Sequence, residues 1–279
     1  MVQVVTDSAS NCVGARKLIM DKCNTIYWTP CAAHCLDLLL HDLAKFPWIN
    51  DAVRKGKQIS HFICNHHLTL SLYRRQASKE LLRPCDTRFA TYYITLKRLV
   101  EEKISVRGVI CSNEWESSHL SKEPKGKELE QIILGNAFWE SASKVLKVCE
   151  PIVDMLRMVD SDTPMGFVYE GMDRCKESIA KSFNNVENEY MEIWEMIDKR
   201  WKMLHSPLHA TTCYLDSRMF GIQRHNDAEV MSGLYDAIER LVPNREESSK
   251  LREQLWAYRM EEGIFGKASS IEDRIKIPP

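Results

Sequence analysis

A run of β-branched residues ends in a single acid, Asp7, and the chain then turns small and polar: VVTDSASNCVGARKLI. A carboxylate just past a buried strand has two uses. Asp7 or Ser8 can cap the helix that follows, accepting its unpaired N–H groups. Asp7 can also hold a hard cation such as Mg²⁺, which takes oxygen ligands and uses one or two protein carboxylates. In open α/β sheets, sites are built at the carboxyl edge of the strands. Two such ions clamp the attacking and leaving oxygens of a phosphoryl transfer. A second group follows in IYWTPCAAHCLDLLLHDL. Cys31 and His34 sit three residues apart at the start of a helical pattern and so share a face, with Cys35 beside them. They supply half of a zinc site, but a closed site needs four ligands, and no second pair stands at a finger-like distance. The cluster HFICNHH (His61, Cys64, His66, His67) fits no common metal module. There is no nucleophile with a base at recognisable spacing, no glycine-rich phosphate loop and no H-E-x-x-H, so hydrolase, kinase and dinucleotide chemistry have no local signature.

Basic residues gather at Arg54, Lys55 and Lys57, then at Arg74, Arg75, Lys79, Arg83 and Arg88, with Tyr73, Phe89, Tyr92 and Tyr93 among or beside them. Cations next to stacking faces are what a nucleic-acid channel uses. Amphipathic helices with basic outer faces and aromatic inner ones give the same pattern. The whole chain of 279 residues carries a net charge of −1, unevenly spread. Residues 1–110 hold 16 Lys and Arg against 9 Asp and Glu; residues 111–279 hold 22 against 30. A polyanion, if bound, is expected to meet the first part.

The elements that must position these residues follow from the pattern. VQVVT reads as a short buried strand. Residues 12–22 read as a helix capped by Asn11, and TIYWT as a second strand stopped by Pro30. CAAHCLDLLLHDLAKF places Leu36, Leu39, Leu40 and Leu43 at helical spacing before Pro47. Strand–helix–strand–helix is the order of a parallel pair with a crossover connection. Beyond residue 48 the strand signal fades. Helices are expected over 50–80 with a break near Asn65, over TRFATYYITLKRLVEEK, and over 127–160, 168–182 and 186–204. Two more, DAEVMSGLYDAIERLV and REESSKLREQLWAYRMEE, are separated by Pro243. The polar stretch 113–126 reads as a loop. The expected class is mainly α: a partial α/β piece over 1–48, then an all-helical domain over 49–279. Trp139, Trp194, Trp201 and Trp256 lie on helical faces and read as core.

Apolar residues make up 44% and charged residues 28%, an ordinary globular balance. The apolar runs fall far short of the roughly 20 residues a membrane span needs, and no signal segment opens the chain, so no membrane partner is expected. Ten scattered cysteines without a leader read as reduced thiols of a cytosolic or nuclear protein.

Taken together, VVTDSASNCVGARKL, YWTPCAAHCLDLLLHDL, TRFATYYITLKRL and SKEPKGK resemble hAT-superfamily transposases, nearest to a plant transposase-like group. PMGFVYEGMDRCKESI and the segment running from IDKRW to PLHATTCYLDS resemble the same group, so the likeness spans nearly the whole chain. The resemblance implies an RNase H-like core interrupted by a large helical insertion, and an active site of three acids that bind Mg²⁺ or Mn²⁺. Asp7 matches the second of those acids, both as catalytic residue and as metal ligand. Cys31 and His34 match a motif near the active site. Arg88 and Phe89 match an Arg-Trp pair that grips transposon-end DNA; Phe89 keeps the stacking face and lacks the indole N–H.

The other two acids of the family pattern find no match here, nor do its zinc finger and its C-terminal dimerisation segment. The expectation is therefore a fragment of a nuclear DNA transposase without a complete catalytic triad, its partner the DNA of transposon ends. Two rivals are kept: a non-catalytic nuclear protein of transposon origin that binds DNA or protein, and a helical scaffold whose basic faces have no partner.

Overall fold

The structure, a computed structural model, describes residues 1–83, 90–160, 165–216 and 226–276. The chain is mainly α, as the periodicity leads one to expect. It opens with β1 (Gln3–Thr6), α1 (Ser10–Lys22), β2 (Tyr27–Pro30) and α2 (Ala32–Leu43). Then come α3 (Pro47–Asn65), α4 (His67–Arg74), α5 (Ala90–Glu101), α6 (Lys103–Ile110), α7 (Asn113–Ser117), α8 (Pro124–Leu134) and α9 (Ala137–Val159). α10 (Gly166–Ser182), α11 (Met191–Leu204), α12 (Pro207–Leu215), α13 (Ala228–Leu241), α14 (Arg245–Arg259) and α15 (Ala268–Lys276) complete the order. Among the described residues no helix is long and apolar enough to cross a membrane.

Two local expectations are corrected. Asn11 is not a cap: it lies inside α1, whose cap position is Ala9 with no side-chain bond. The stretch 113–126 is not a loop. Ser112 Oγ accepts the Trp115 N–H at 3.2 Å and starts α7, and Pro124 stands in the first turn of α8, where its missing N–H costs nothing. Polar composition hid both starts. Trp115, fully buried, secures the segment.

The chain forms two compact units. One comprises Met1–Cys35, Met155–Glu177 and Ile197–Pro279; the other comprises Leu36–Asp154 and Ser178–Met196. This grouping differs from the division at 48 and 49, which follows strand content along the chain, because segments far apart in sequence pack together.

In the first unit β1 and β2 pair in parallel, with Gln3 opposite Tyr27 and Thr6 opposite Pro30. β2 is buried along its whole length, whereas Val5 of β1 is 53% exposed and α1 buries none of its residues. β2 is fastened to α13. Arg240 lies 4.6 Å from the centre of the Tyr27 ring, its Nη2 donates to the Ile26 carbonyl at 3.1 Å, and Tyr27 Oη donates to the Asp236 carbonyl at 3.3 Å. α12 and α13 pack so closely that a Cβ on Gly233 would come within 2.5 Å of the Ala210 Cβ. Tyr169, Cys213, Tyr214, Val230, Leu234 and Ile238 form the core there.

In the second unit α3 packs on α4 and α5 through Ile49, Ile59, Ile63, Leu72, Leu96 and Leu99, all buried. Buried Glu102 accepts bonds from the Ser78 and Ser105 hydroxyls, which satisfies a carboxylate that burial would otherwise penalise. Arg107 donates to the carbonyls of Ile133, Leu134 and Gly135, closing the end of α8.

The first unit also buries a histidine. His209 is 2% exposed and its Nδ1 lies 3.0 Å from Ser206 Oγ. Burial, helped by the neighbouring His205, lowers its pKa from 6.5 to about 4. The unfolded chain therefore binds more protons between those values, and stability is lost as pH falls through that window, by roughly 3 kcal/mol for this residue. Urea unfolding at pH 7.5 and 4.5 should show the loss. His209→Gln, which cannot titrate, should show a shallower one; an equal loss would contradict the assignment.

Candidate functional site at the carboxyl edge of the strands

The parallel register that sets Thr6 against Pro30 sends Asp7 and Cys31 out of the sheet at the same edge. The edge is stitched by backbone: Cys31 N–H donates to the Thr6 carbonyl at 2.6 Å and Cys35 N–H to the Cys31 carbonyl at 3.0 Å. Cys31 thus stands where β2 passes into α2, and His34 lies in the first turn of that helix. Trp28 supports the floor. Its Nε1 donates to Thr6 Oγ1 at 2.9 Å, and the Arg16 guanidinium lies 5.2 Å from its ring centre.

Asp7 is exposed, and its Oδ1 accepts the Ala9 N–H at 3.1 Å. The acid therefore shapes the turn that leads into α1, while its place remains the strand edge. That backbone bond holds the carboxyl below its usual range, aided by the Cys12 thiol and then by the charge of His34. The Cys12 thiol is pushed up, chiefly by its bond to Asp7. Burial pushes the Cys35 thiol up against a bond from Ser8. The edge thus brings together Asp7, Ser8, Cys12, Cys31, His34 and Cys35. Cys12 was missed by sequence reasoning. Its only signal was a place in the first turn of the helix after Asp7, where the chain returns over its own turn.

Mg²⁺ or Mn²⁺ is the cofactor the resemblance implies. Among the described residues no three His, Cys, Asp or Glu side chains converge as a metal-holding group. Asp7 supplies oxygen donors, but its neighbours are thiols and an imidazole, which suit softer ions. The residues gathered here do not fit a two-ion centre. The other metal candidate, HFICNHH, is also used structurally: His66 Nδ1 donates to the Phe62 carbonyl at 2.8 Å.

Of the predicted nucleic-acid residues, Arg54, Lys55 and Lys57 lie on α3, Arg74 ends α4 and Arg75 follows it. Arg54 and Lys55 share Asp51 at 2.7 and 2.6 Å. Lys57 Nζ lies 5.7 Å from the centre of the Tyr92 ring. Arg74 grips Glu80 at 2.8 Å, and Arg75 reaches Glu114 at 2.8 Å. Tyr73 and Tyr93 are fully buried, so neither presents a face to a base. Arg88 and Phe89 lie outside the described residues. Asp51 stands on α3 itself and Glu80 lies close after Arg74, so both are visible in the sequence; only Glu114, 39 positions from Arg75, is brought in by packing.

The Asp7–Cys12 contact can be tested by thiol chemistry. Asp7→Asn removes the charge that disfavours the Cys12 thiolate, so Cys12 should alkylate several-fold faster at pH 8. Peptide mass spectrometry after iodoacetamide pulses reads the rate; an unchanged rate would separate the two side chains.

A family model described as a domain of unknown function (DUF659) matches residues 1–59 of the 279. The matched stretch holds β1, α1, β2 and α2 with most of α3, and therefore Asp7, Cys31 and His34. No curated protein and no solved structure matches the chain.

Proposed function

We propose that this chain is part of a hAT-type DNA transposase, or of a nuclear protein descended from one, and that it holds DNA without cutting it. Support comes first from the match over residues 1–59, since that domain family is associated with hAT-like transposases. The observation that carries the reading is local: Asp7 and Cys31, far apart in sequence, leave one sheet edge together, with His34 at the start of the helix that follows. That is the edge at which an RNase H-like core places its acids. The uncovered face fits the same picture. Val5, Val13 and Leu18 are exposed on β1 and α1, as a strand and a helix belonging to a larger sheet would be.

The non-cutting half of the reading rests on donor geometry. Phosphoryl transfer by two ions needs several oxygen ligands converging on ions about 3.5–4 Å apart. A single exposed carboxylate whose nearest partners are a backbone N–H and a thiol cannot place two ions. Asp7 then marks the edge rather than completing a centre.

The test uses the purified chain with labelled duplex and hairpin DNA in Mg²⁺ or Mn²⁺. Binding should weaken roughly tenfold or more between 50 and 200 mM salt, as phosphate contacts by Lys and Arg require. Neither nicking nor joining should occur. Nicking that disappears in Asp7→Asn would overturn the non-cutting half, and absence of binding at 50 mM salt would overturn the DNA half.

A further inference from the structure

Charge in the second unit is not spent evenly. Arg54, Lys55, Arg74, Arg75, Lys79 and Lys97 each meet a carboxylate within 3 Å. Such a cation must give up its partner before it can serve a phosphate, so its net contribution to binding an anion is small. Lys103 and Lys147 differ: among the described residues neither has an ion-pair partner. Both line one open cleft of about 600 Å³, together with Lys144, Asn136, Ser143 and Asn184.

The cleft is assembled from three places. α6 brings Lys103, the middle of α9 brings Lys144 and Lys147 three residues apart on one face, and the turn after α10 brings Asn184. That turn is held in an unusual form. Asn184 and Asn185 have φ of 54° and 58°, a left-handed conformation that asparagine tolerates better than most residues. Aromatic rings hold Lys103 and Lys144 in place. Lys103 Nζ lies 5.3 Å from the centre of the Trp139 ring and the Arg107 guanidinium 5.8 Å from the same centre. Lys144 Nζ lies 5.4 Å from the Trp48 ring centre and 5.0 Å from that of Phe183. Two like charges sharing the Trp139 ring repel, and an anion between them relieves that repulsion.

We infer that this cleft, with Lys103, Lys144 and Lys147 as its cations, binds the phosphodiester backbone of DNA. The inference rests on the DNA-holding reading above and moves the contact away from α3 and α4. The chemistry favours backbone over base. Lysine ammonium groups meet phosphates as point charges without directional forks, and phosphate contacts position a duplex without reading its sequence. Trp139 and Phe183 are buried, so the cleft offers no face on which a base could stack. Two acids limit its strength. Glu189 pairs with Lys144 at 3.3 Å, and Glu140 stands exposed at the rim.

Fluorescence anisotropy with a labelled duplex tests this on the full chain. Lys103→Gln with Lys147→Gln should weaken binding about tenfold and flatten the salt slope by about 2, one unit per lost phosphate contact. Glu140→Lys should tighten binding several-fold. Arg74→Gln with Arg75→Gln should change affinity less than threefold. Because Lys103 rests on Trp139, far-ultraviolet circular dichroism checks the double variant, and Lys147→Gln alone, at an exposed position, should still weaken binding. Wild-type binding that both lysine variants leave unchanged would overturn the cleft while the DNA reading stands. No wild-type binding would overturn both.

Discussion

A two-stranded parallel sheet has no stability of its own in water, so the strand edge of this protein depends on how β2 is fastened. Arg240 supplies the fastening, covering the Tyr27 ring and bonding to the Ile26 carbonyl while Tyr27 reaches the Asp236 carbonyl. A cation over an aromatic ring contributes about 0.5–2 kcal/mol depending on desolvation, and the bonds to backbone add to it. With β2 held, the register with β1 follows, and with the register the meeting of Asp7, Cys31 and His34. The chemistry of the edge is thus a consequence of a contact made more than 200 residues further along the chain.

Electrostatics sorts the remaining candidates. At the strand edge a single carboxylate spends itself on a backbone N–H and a thiol, which suits a turn and leaves the donor set too small for paired ions. In the helical second unit many surface cations, Arg54, Lys55, Arg74, Arg75, Lys79 and Lys97 among them, are matched by acids, and such pairs contribute little to stability. Lys103 and Lys147 have no such partner among the described residues; Lys103 rests on the Trp139 ring, and Lys144 on those of Trp48 and Phe183 while also pairing with Glu189.

Much of the architecture was legible in the sequence. VQVVT and TIYWT announced their strands by β-branching, and leucine spacing announced α2. The order of these elements implied parallel pairing, while the nearness of Cys31 to Asp7 was implied only by the family resemblance. What failed was decided by context. Asn11 is a good cap residue, yet the helix starts before it because Asp7 already bonds Ala9. Residues 113–126 look like loop by composition, yet buried Trp115 and Pro124 make helices of them. The cluster of basic residues fits a channel and solvated helix faces alike in the sequence, and packing alone shows that Arg75 meets Glu114, 39 positions away. Lys103 and Trp139 are likewise brought together by packing, which no local pattern records.

On this reading DNA is held through the cleft of Lys103, Lys144 and Lys147 rather than through the cations between Arg54 and Lys79. Lysine acetylation footprinting by mass spectrometry, with and without duplex DNA, reads that directly, since every lysine reports its own accessibility. Lys103, Lys144 and Lys147 should be protected by DNA, while Lys55, Lys57 and Lys79 should acetylate at the same rate in both samples. Protection confined to Lys55, Lys57 and Lys79, with the cleft lysines unchanged, would contradict the account.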